Sequence, residues 1–304
     1  MKINFHSFAS HHNKYIEALN RACNFGGNVI YQKEIYEIPN VLISNSLFKI
    51  GGKSYLERFL SAKIILIGHS LFLHSYHINN FLSTYIDKVP IVNVFPEFSV
   101  ENSEIPLQFP CITYSGHYMT LYHYFNQQQG GNSKNGVLLL TDDKVTIEEI
   151  LHATRNIGNK YKIYVRLHPA IVSIARKFLA ARSLKPTYEN FLALEKNNNF
   201  KIIHPEQENI ETSFGRANYI IGFGNTSTLI ECAISSKISR INKNFIFSFR
   251  GEQISKVFGA LHVIDPYIDE FQPIHENITN ELCIGYENQV DCFKNAIRSA
   301  INER

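Results

Sequence analysis

Tryptophan is missing altogether, and methionine occurs only twice in 304 residues. Charge is sparse: Lys, Arg, Asp and Glu make up 19% of the chain and leave a net +3. No dense Lys/Arg block exists, which argues against non-specific nucleic-acid binding. The five cysteines, Cys23, Cys111, Cys232, Cys283 and Cys292, contain no Cys-x-x-Cys pair and are odd in number. Four of them sit among apolar neighbours and read as buried thiols. That pattern argues for a reducing compartment and against a zinc site. No apolar run is long enough to span a bilayer. The longest, near Lys63–Leu73, is interrupted by Gly68, His69 and Ser70. The first residues lack the basic-then-apolar pattern of a signal peptide. The chain therefore reads as soluble and cytoplasmic, with peripheral attachment to the inner membrane face left open.

What is present is the apolar share of a folded protein, 44%, and a regular alternation of elements. A chain of this length buries one large core or two domains of about 130–170 residues. In the first half, apolar runs predict strands at Lys2–Phe8, Asn28–Tyr31, Asn40–Ile43, Lys63–Gly68, Val89–Phe95 and Cys111–Ser115. Helical spacing predicts helices at His11–Phe25, Tyr55–Ala62, Ile78–Ile86 and His117–Phe125. Strands alternating with helices imply parallel α/β sheets with right-handed crossovers.

The pattern breaks at Asn126–Gly136, a stretch of Gln, Gly, Asn and Ser that reads as a linker. A second series follows. Strands are predicted at Val137–Leu140, Tyr161–Val165, Phe200–Ile203, Tyr219–Ile221, Lys237–Ile241 and Leu261–Ile264. Helices are predicted at Thr146–Ile157, Ile171–Ala181, Phe191–Lys196, Ile210–Arg216, Thr226–Ser235 and Gln289–Ile301. The expected architecture is α/β with two Rossmann-like domains, residues 1–130 and 131–304, facing each other across a cleft. The terminal helix is expected to pack back on the first domain.

Two phrases in the second half carry chemistry. Arg166-Leu167-His168-Pro169 empties out of one strand. Gly222-Phe223-Gly224-Asn225-Thr226-Ser227-Thr228 empties out of another and opens a helix. The glycines permit close backbone approach. Asn225, Thr226, Ser227 and Thr228 place amide and hydroxyl groups beside the free N–H groups of a helix start, an arrangement suited to phosphate. Glu231, four residues after Ser227, shares its helix face and suits a ribose diol. The competing reading is an ordinary N-capped helix with a solvated Glu. Both phrases fall at carboxyl strand ends, where open α/β sheets bind ligands.

A strand ending in His-Pro, followed by a strand ending in a Ser/Thr cluster, resembles bacterial glycosyltransferases of the GT-B architecture. The most similar are sialyl- and polysialyltransferases of capsule and lipooligosaccharide synthesis that use CMP-sialic acid. Capsule Kdo transferases and the glycerophosphotransferases of teichoic-acid synthesis are similar too. The resemblance covers roughly residues 136–242. It implies that His168, Pro169, Gly224, Asn225, Thr226, Ser227, Thr228 and Glu231 contact the donor nucleotide in the C-terminal domain, with the acceptor on the N-terminal side. It implies an inverting transfer of a sialic acid-like sugar to a bacterial surface glycan or glycolipid.

Within that expectation, His168 stabilises the leaving phosphate as an imidazolium, with His204, of His204-Pro205, as its rival. Arg166 is an outer-shell charge. Asp142 and Asp143, after the strand Val137–Leu140, are candidates for the base that takes the acceptor proton. One would act and the other would cap the next helix, a cap for which Thr146 also qualifies. Glu97, after Val89–Phe95, is the rival base, and His11, His12 and His69 are loop candidates. His74 and His77 are spaced i, i+3 without a third ligand, and no Asp-x-Asp occurs. The expected chemistry is therefore metal-independent, with no cofactor beyond the donor. The alternatives are a CDP-polyol phosphotransferase, a Kdo transferase or a UDP-sugar-dependent transferase of the same fold. Two readings of another class are a nucleotide-sugar epimerase and a non-catalytic glycan-assembly partner. No nucleic-acid partner is expected, and oligomerisation is left open.

Overall fold

The computed structural model describes residues 3–7, 12–31, 38–45, 49–50, 53–54, 61–68, 71, 73, 75–85, 90–126, 136–155, 161–173, 185–224, 226–239, 245–249 and 281–303. It divides into two compact units, Met1–Asn126 with Asn280–Arg304, and Gln127–Thr279. Residues 55–60 of the predicted helix Tyr55–Ala62, the strand Leu261–Ile264 and residues 127–135 of the linker lie outside the described residues.

In the first unit the strands are β1 (Ile3–Ser7), β2 (Val29–Tyr31), β3 (Val41–Ser44), β4 (Lys49–Ile50), β5 (Lys53–Ser54), β6 (Lys63–Leu66), β7 (Ile91–Pro96) and β8 (Cys111–Tyr114). Six of them form one parallel sheet in the order β2-β1-β3-β6-β7-β8, and β4 and β5 pair antiparallel apart from it. The helices are α1 (Asn13–Cys23), α2 (Ser75–Tyr85), α3 (Glu97–Glu101), α4 (Thr120–Phe125) and the terminal helix Tyr286–Asn302. Side chains alternate across the sheet with period two. Phe5, Ile43, Ile65 and Val94 pack with α1, α4 and the terminal helix, whereas Leu42, Ile64, Leu66 and Phe95 pack with α2. A sheet covered on both faces explains why these strands read as nearly continuous apolar runs.

Local chemistry sets where these helices stop. α1 ends at Asn24, which turns left-handed (φ 49°) and donates its N–H to the Asn20 carbonyl; such a residue terminates a helix. The terminal helix buries Phe293, Ile297 and Ala300. Its buried Gln289 donates to the His117 carbonyl and accepts from the Thr120 hydroxyl. That lock, with Thr120 also bonded to the His117 carbonyl at 2.7 Å, holds His117 in the turn before α4. The helix therefore starts at Thr120 and not at His117. At the other end, Lys63 Nζ donates to the carbonyls of Ile301 (3.0 Å) and Glu303, a cation at the negative end of the helix dipole.

The second unit holds β9 (Gly136–Leu140), β10 (Lys162–Arg166), β11 (Phe200–Ile203), β12 (Tyr219–Phe223) and β13 (Phe245–Phe249), all parallel, in the order β11-β10-β9-β12-β13. Its helices are α5 (Ile147–Thr154), α6 (Pro169–Val172), α7 (Tyr188–Leu192), α8 (Ile210–Gly215) and α9 (Ser227–Ile238), with a 3-10 turn at Ala193–Lys196. One core face joins Val137, Leu139, Val165, Ile202 and Ile221 with Val145, Ile150 and Phe191.

Two predicted spans differ from what forms here. Lys237 and Ile238 complete α9, and the Ser239 N–H bonds to the Ser235 carbonyl at 3.0 Å. Helix propagation overrides the strand-like spacing of Lys237–Ile241, and the strand comes later, at β13. The helix predicted from Ile171 to Ala181 leaves helical geometry at Ser173 (ψ 148°), whose hydroxyl bonds back to the Ala170 carbonyl; residues 174–181 lie outside the described residues. The cysteines are less buried than their neighbours suggested. None of the five forms a disulfide, and among them only Cys23 and Cys232 are buried. Burial pushes the Cys23 thiol up to about 12. No helix among the described residues is long and apolar enough to cross a membrane.

Candidate functional site

Strand order locates a ligand crevice in the second unit. Counted along the chain, its strands run 3-2-1-4-5, and the order reverses between β9 and β12. Connections leave in opposite directions from that point, so the carboxyl ends of β9 and β12 open a crevice.

Register decides which residues reach it. The last pairs on either side of β9 are Arg166↔Leu140 and Gly222↔Leu140. Two positions further on come His168, Asp142 and Gly224, in the turns that leave the carboxyl ends of the adjacent strands β10, β9 and β12. The ends of β9 and β10 are laced. The Thr141 N–H donates to the Arg166 carbonyl at 3.1 Å, and its hydroxyl accepts the His168 N–H at 2.8 Å. Thr141, buried, was not singled out by the sequence; a hydroxyl directly after an apolar strand is too common a feature to mark it.

Gly224 has a left-handed backbone (φ 63°), and a side chain there would run into the Asp142 carboxylate. Only glycine allows this contact. Asp142 also accepts the Lys144 N–H at 3.2 Å, closing a turn. Neither aspartate caps α5. Thr146 does, in a capping box with Glu149 (3.2 and 2.9 Å), so the helix-capping role expected of one aspartate falls to Thr146. The first βα turn of this unit thus carries two carboxylates and no glycine.

The anion-binding candidates follow Gly224. Asn225 lies outside the described residues. Thr226 is the N-cap residue of α9, yet its side chain makes no capping bond, whereas α5 and α8 are capped by Thr146 and Asn209. Gly222 brings the helix start down onto the strand, since a side chain there would meet Leu229 and the Thr226 methyl. Thr226, Ser227 and Thr228 are half-buried, and Glu231 is buried one turn further in.

His168 is the N-cap of α6, where its Nδ1 accepts the Ala170 N–H at 3.2 Å and Pro169 fills the first helical position. An accepting Nδ1 puts the proton of the neutral ring on Nε2. Protonating the ring would sacrifice the cap. A neutral His168 in this cap donates through Nε2–H. His204 makes the same turn, with Nδ1 accepting from the Glu206 N–H at 3.2 Å and its ring edge-on to Tyr188. It follows β11, the edge strand, two strands away from β9. Arg166 ties that loop down: it donates to the carbonyls of Glu208 (2.6 Å) and Pro205 (3.3 Å) and to the Ser213 hydroxyl (3.0 Å). Glu208 in turn pairs with Arg216 at 2.5 Å. Arg166 is a structural strut beneath the second His-Pro.

Glu97 opens α3 in the other unit and is exposed. His12 is buried beside the start of α1, and His77 is exposed on α2. His11, His69 and His74 lie outside the described residues. No family model matches the chain, and no curated protein matches it. The resemblance to GT-B transferases rests on the motifs alone.

Proposed function

We propose that the β9/β12 crevice binds the nucleotide and phosphate of an activated sugar, and that the protein is a metal-independent, inverting glycosyltransferase with a CMP-sugar as preferred donor. The acceptor is a bacterial surface glycan or glycolipid. The observation that carries this reading is the close approach of Asp142 to Gly224, just before the start of α9, whose N-cap Thr226 makes no capping bond of its own. A phosphate there meets helix N–H groups and three hydroxyls, which suit its charge. Glu231 is the candidate for the ribose diol.

The roles follow from the chemistry of displacement. The acceptor hydroxyl oxygen forms a bond to the anomeric carbon while the bond from that carbon to the phosphate oxygen breaks. The hydroxyl proton goes to Asp142, and the electron pair stays on the phosphate. His168 Nε2–H donates to the phosphate as charge grows, which counts most in the transition state. Of the three carboxylates considered for the base, Asp142 is favoured, because it alone borders Gly224. The test is to follow CMP release from CMP-sialic acid in the presence of glycan acceptors, with UDP- and CDP-linked donors in parallel. Transfer from one donor class supports the reading; absence of both binding and release across all three removes it.

A further inference from the structure

β9 ends at Leu140, and the chain passes through Thr141 into the turn that Asp142 closes by accepting the Lys144 N–H at 3.2 Å. In a parallel ladder a residue donates its N–H to a neighbouring strand and accepts, at its own carbonyl, from the residue two further along that strand. Thr141 keeps the first half of this pattern, donating to the Arg166 carbonyl at 3.1 Å. In the second half its side chain takes part: the His168 N–H donates to the Thr141 hydroxyl at 2.8 Å. On its far side the same turn is held by backbone, with the Leu167 N–H on the Ile203 carbonyl at 3.2 Å. Thr141 is buried.

A carbonyl tied to His168 would keep residue 141 in strand geometry. A hydroxyl on a rotatable side chain lets the main chain leave the sheet while His168 stays attached. The next residue, Asp142, then reaches the opposite neighbour, where a side chain at Gly224 would run into its carboxylate. One dipeptide, Thr141-Asp142, thus holds the turn after β10 and meets the turn after β12. His168 has two further ties. Its carbonyl accepts the Ile171 N–H at 2.9 Å, and its Nδ1 accepts the Ala170 N–H at 3.2 Å. Both are internal to the turn and move with it. They orient the ring within the turn, whereas the Thr141 bond sets where the turn lies against β9.

We propose that Thr141 is a positioning residue: its hydroxyl holds the His168 turn against β9 and so fixes His168 relative to the contact between Asp142 and Gly224. The proposal rests on the transfer reading of this crevice. Thr141 acts through His168, so loss of its hydroxyl falls on turnover, which depends most steeply on placement. Donor binding at the start of α9 is left nearly intact.

The test compares Thr141→Val, which exchanges the hydroxyl for a methyl of similar size, with Thr141→Ser, which keeps the hydroxyl. Turnover of CMP-sialic acid, its KM and CMP affinity are measured on the full chain. Thr141→Val should lower kcat roughly 10–100-fold, with CMP affinity changed by no more than about threefold. Thr141→Ser should stay close to wild type. In a His168→Ala background Thr141→Val should cause no further loss, because the group it positions is gone. Histidine-selective isotope labelling, with the ring assigned by His168→Ala, lets NMR read His168 without substrate. Wild type and Thr141→Ser should give the same Nε2–H ring signal, and Thr141→Val a shifted or broadened one. Thr141→Ala takes the place of the valine variant if that does not fold. Wild-type turnover in Thr141→Val, an equal loss in Thr141→Ser, a full further loss in the His168→Ala background, or an unchanged ring signal would each overturn the proposal. Wild type that neither binds nor releases CMP would mark a failure of the donor reading, told apart because the ring signal is read without substrate.

Discussion

His168 is held by a cap: the Ala170 N–H donates to Nδ1, which puts the donor of a neutral ring on Nε2. Two substitutions separate its roles. His168→Ala removes cap and donor together and should lower turnover roughly 10²–10⁴-fold, with a much smaller loss of donor affinity. His168→Gln keeps a neutral N–H donor at a similar reach and should recover part of that loss. Equal activity in both variants would show that the donor is not what matters. Gly224 gives a sharper test of geometry. Gly224→Ala forces a side chain into left-handed backbone, at a strain of roughly 1–2 kcal/mol, and pushes on the Asp142 carboxylate. Nucleotide affinity and turnover should both collapse while the melting temperature falls only modestly. An active Gly224→Ala enzyme would mean that the contact with Asp142 is incidental.

At the scale of elements, the buried end of β1 makes stability depend on pH. His6 binds its proton less readily folded, near 4, than unfolded, near 6.5. The stability it preserves is complete above pH 6.5 and is lost as pH falls towards 4, because the unfolded chain then binds the extra proton. Between pH 7.5 and 5 this amounts to about 2 kcal/mol. Denaturation of wild type and His6→Gln at the two pH values should show that much extra loss in wild type alone; parallel losses would place the titrating group elsewhere. Elements were also where the sequence was most legible. Continuous apolar runs announced the buried strands, and Thr146 stood among the residues expected to cap α5. Helix ends were less legible. The stop at Ser173, the delayed start at Thr120 and the extension of α9 through Ile238 depend on single side-chain bonds or on propagation, which apolar spacing does not record.

At the scale of the whole molecule, strand order was the hidden variable. Apolar runs predict strands, but which strands lie side by side depends on contacts distant along the chain. Sequence left His168 and His204 as rivals because both follow strands and precede prolines. Order separates them, since β10 adjoins β9 and β11 lies at the edge. The same order brings Asp142 and Gly224, eighty-two positions apart in the numbering, side by side. The account's central claim is that these strand ends and the start of α9 hold a nucleotide. Thermal denaturation with CMP, CDP and UDP tests it most directly, because a ligand that binds only folded protein raises the melting temperature. The account predicts a concentration-dependent rise, largest with CMP, that is lost in a Ser227→Ala/Thr228→Ala double variant whose own melting temperature stays near that of wild type. No rise with any of the three nucleotides, or an equal rise in the double variant, would contradict it.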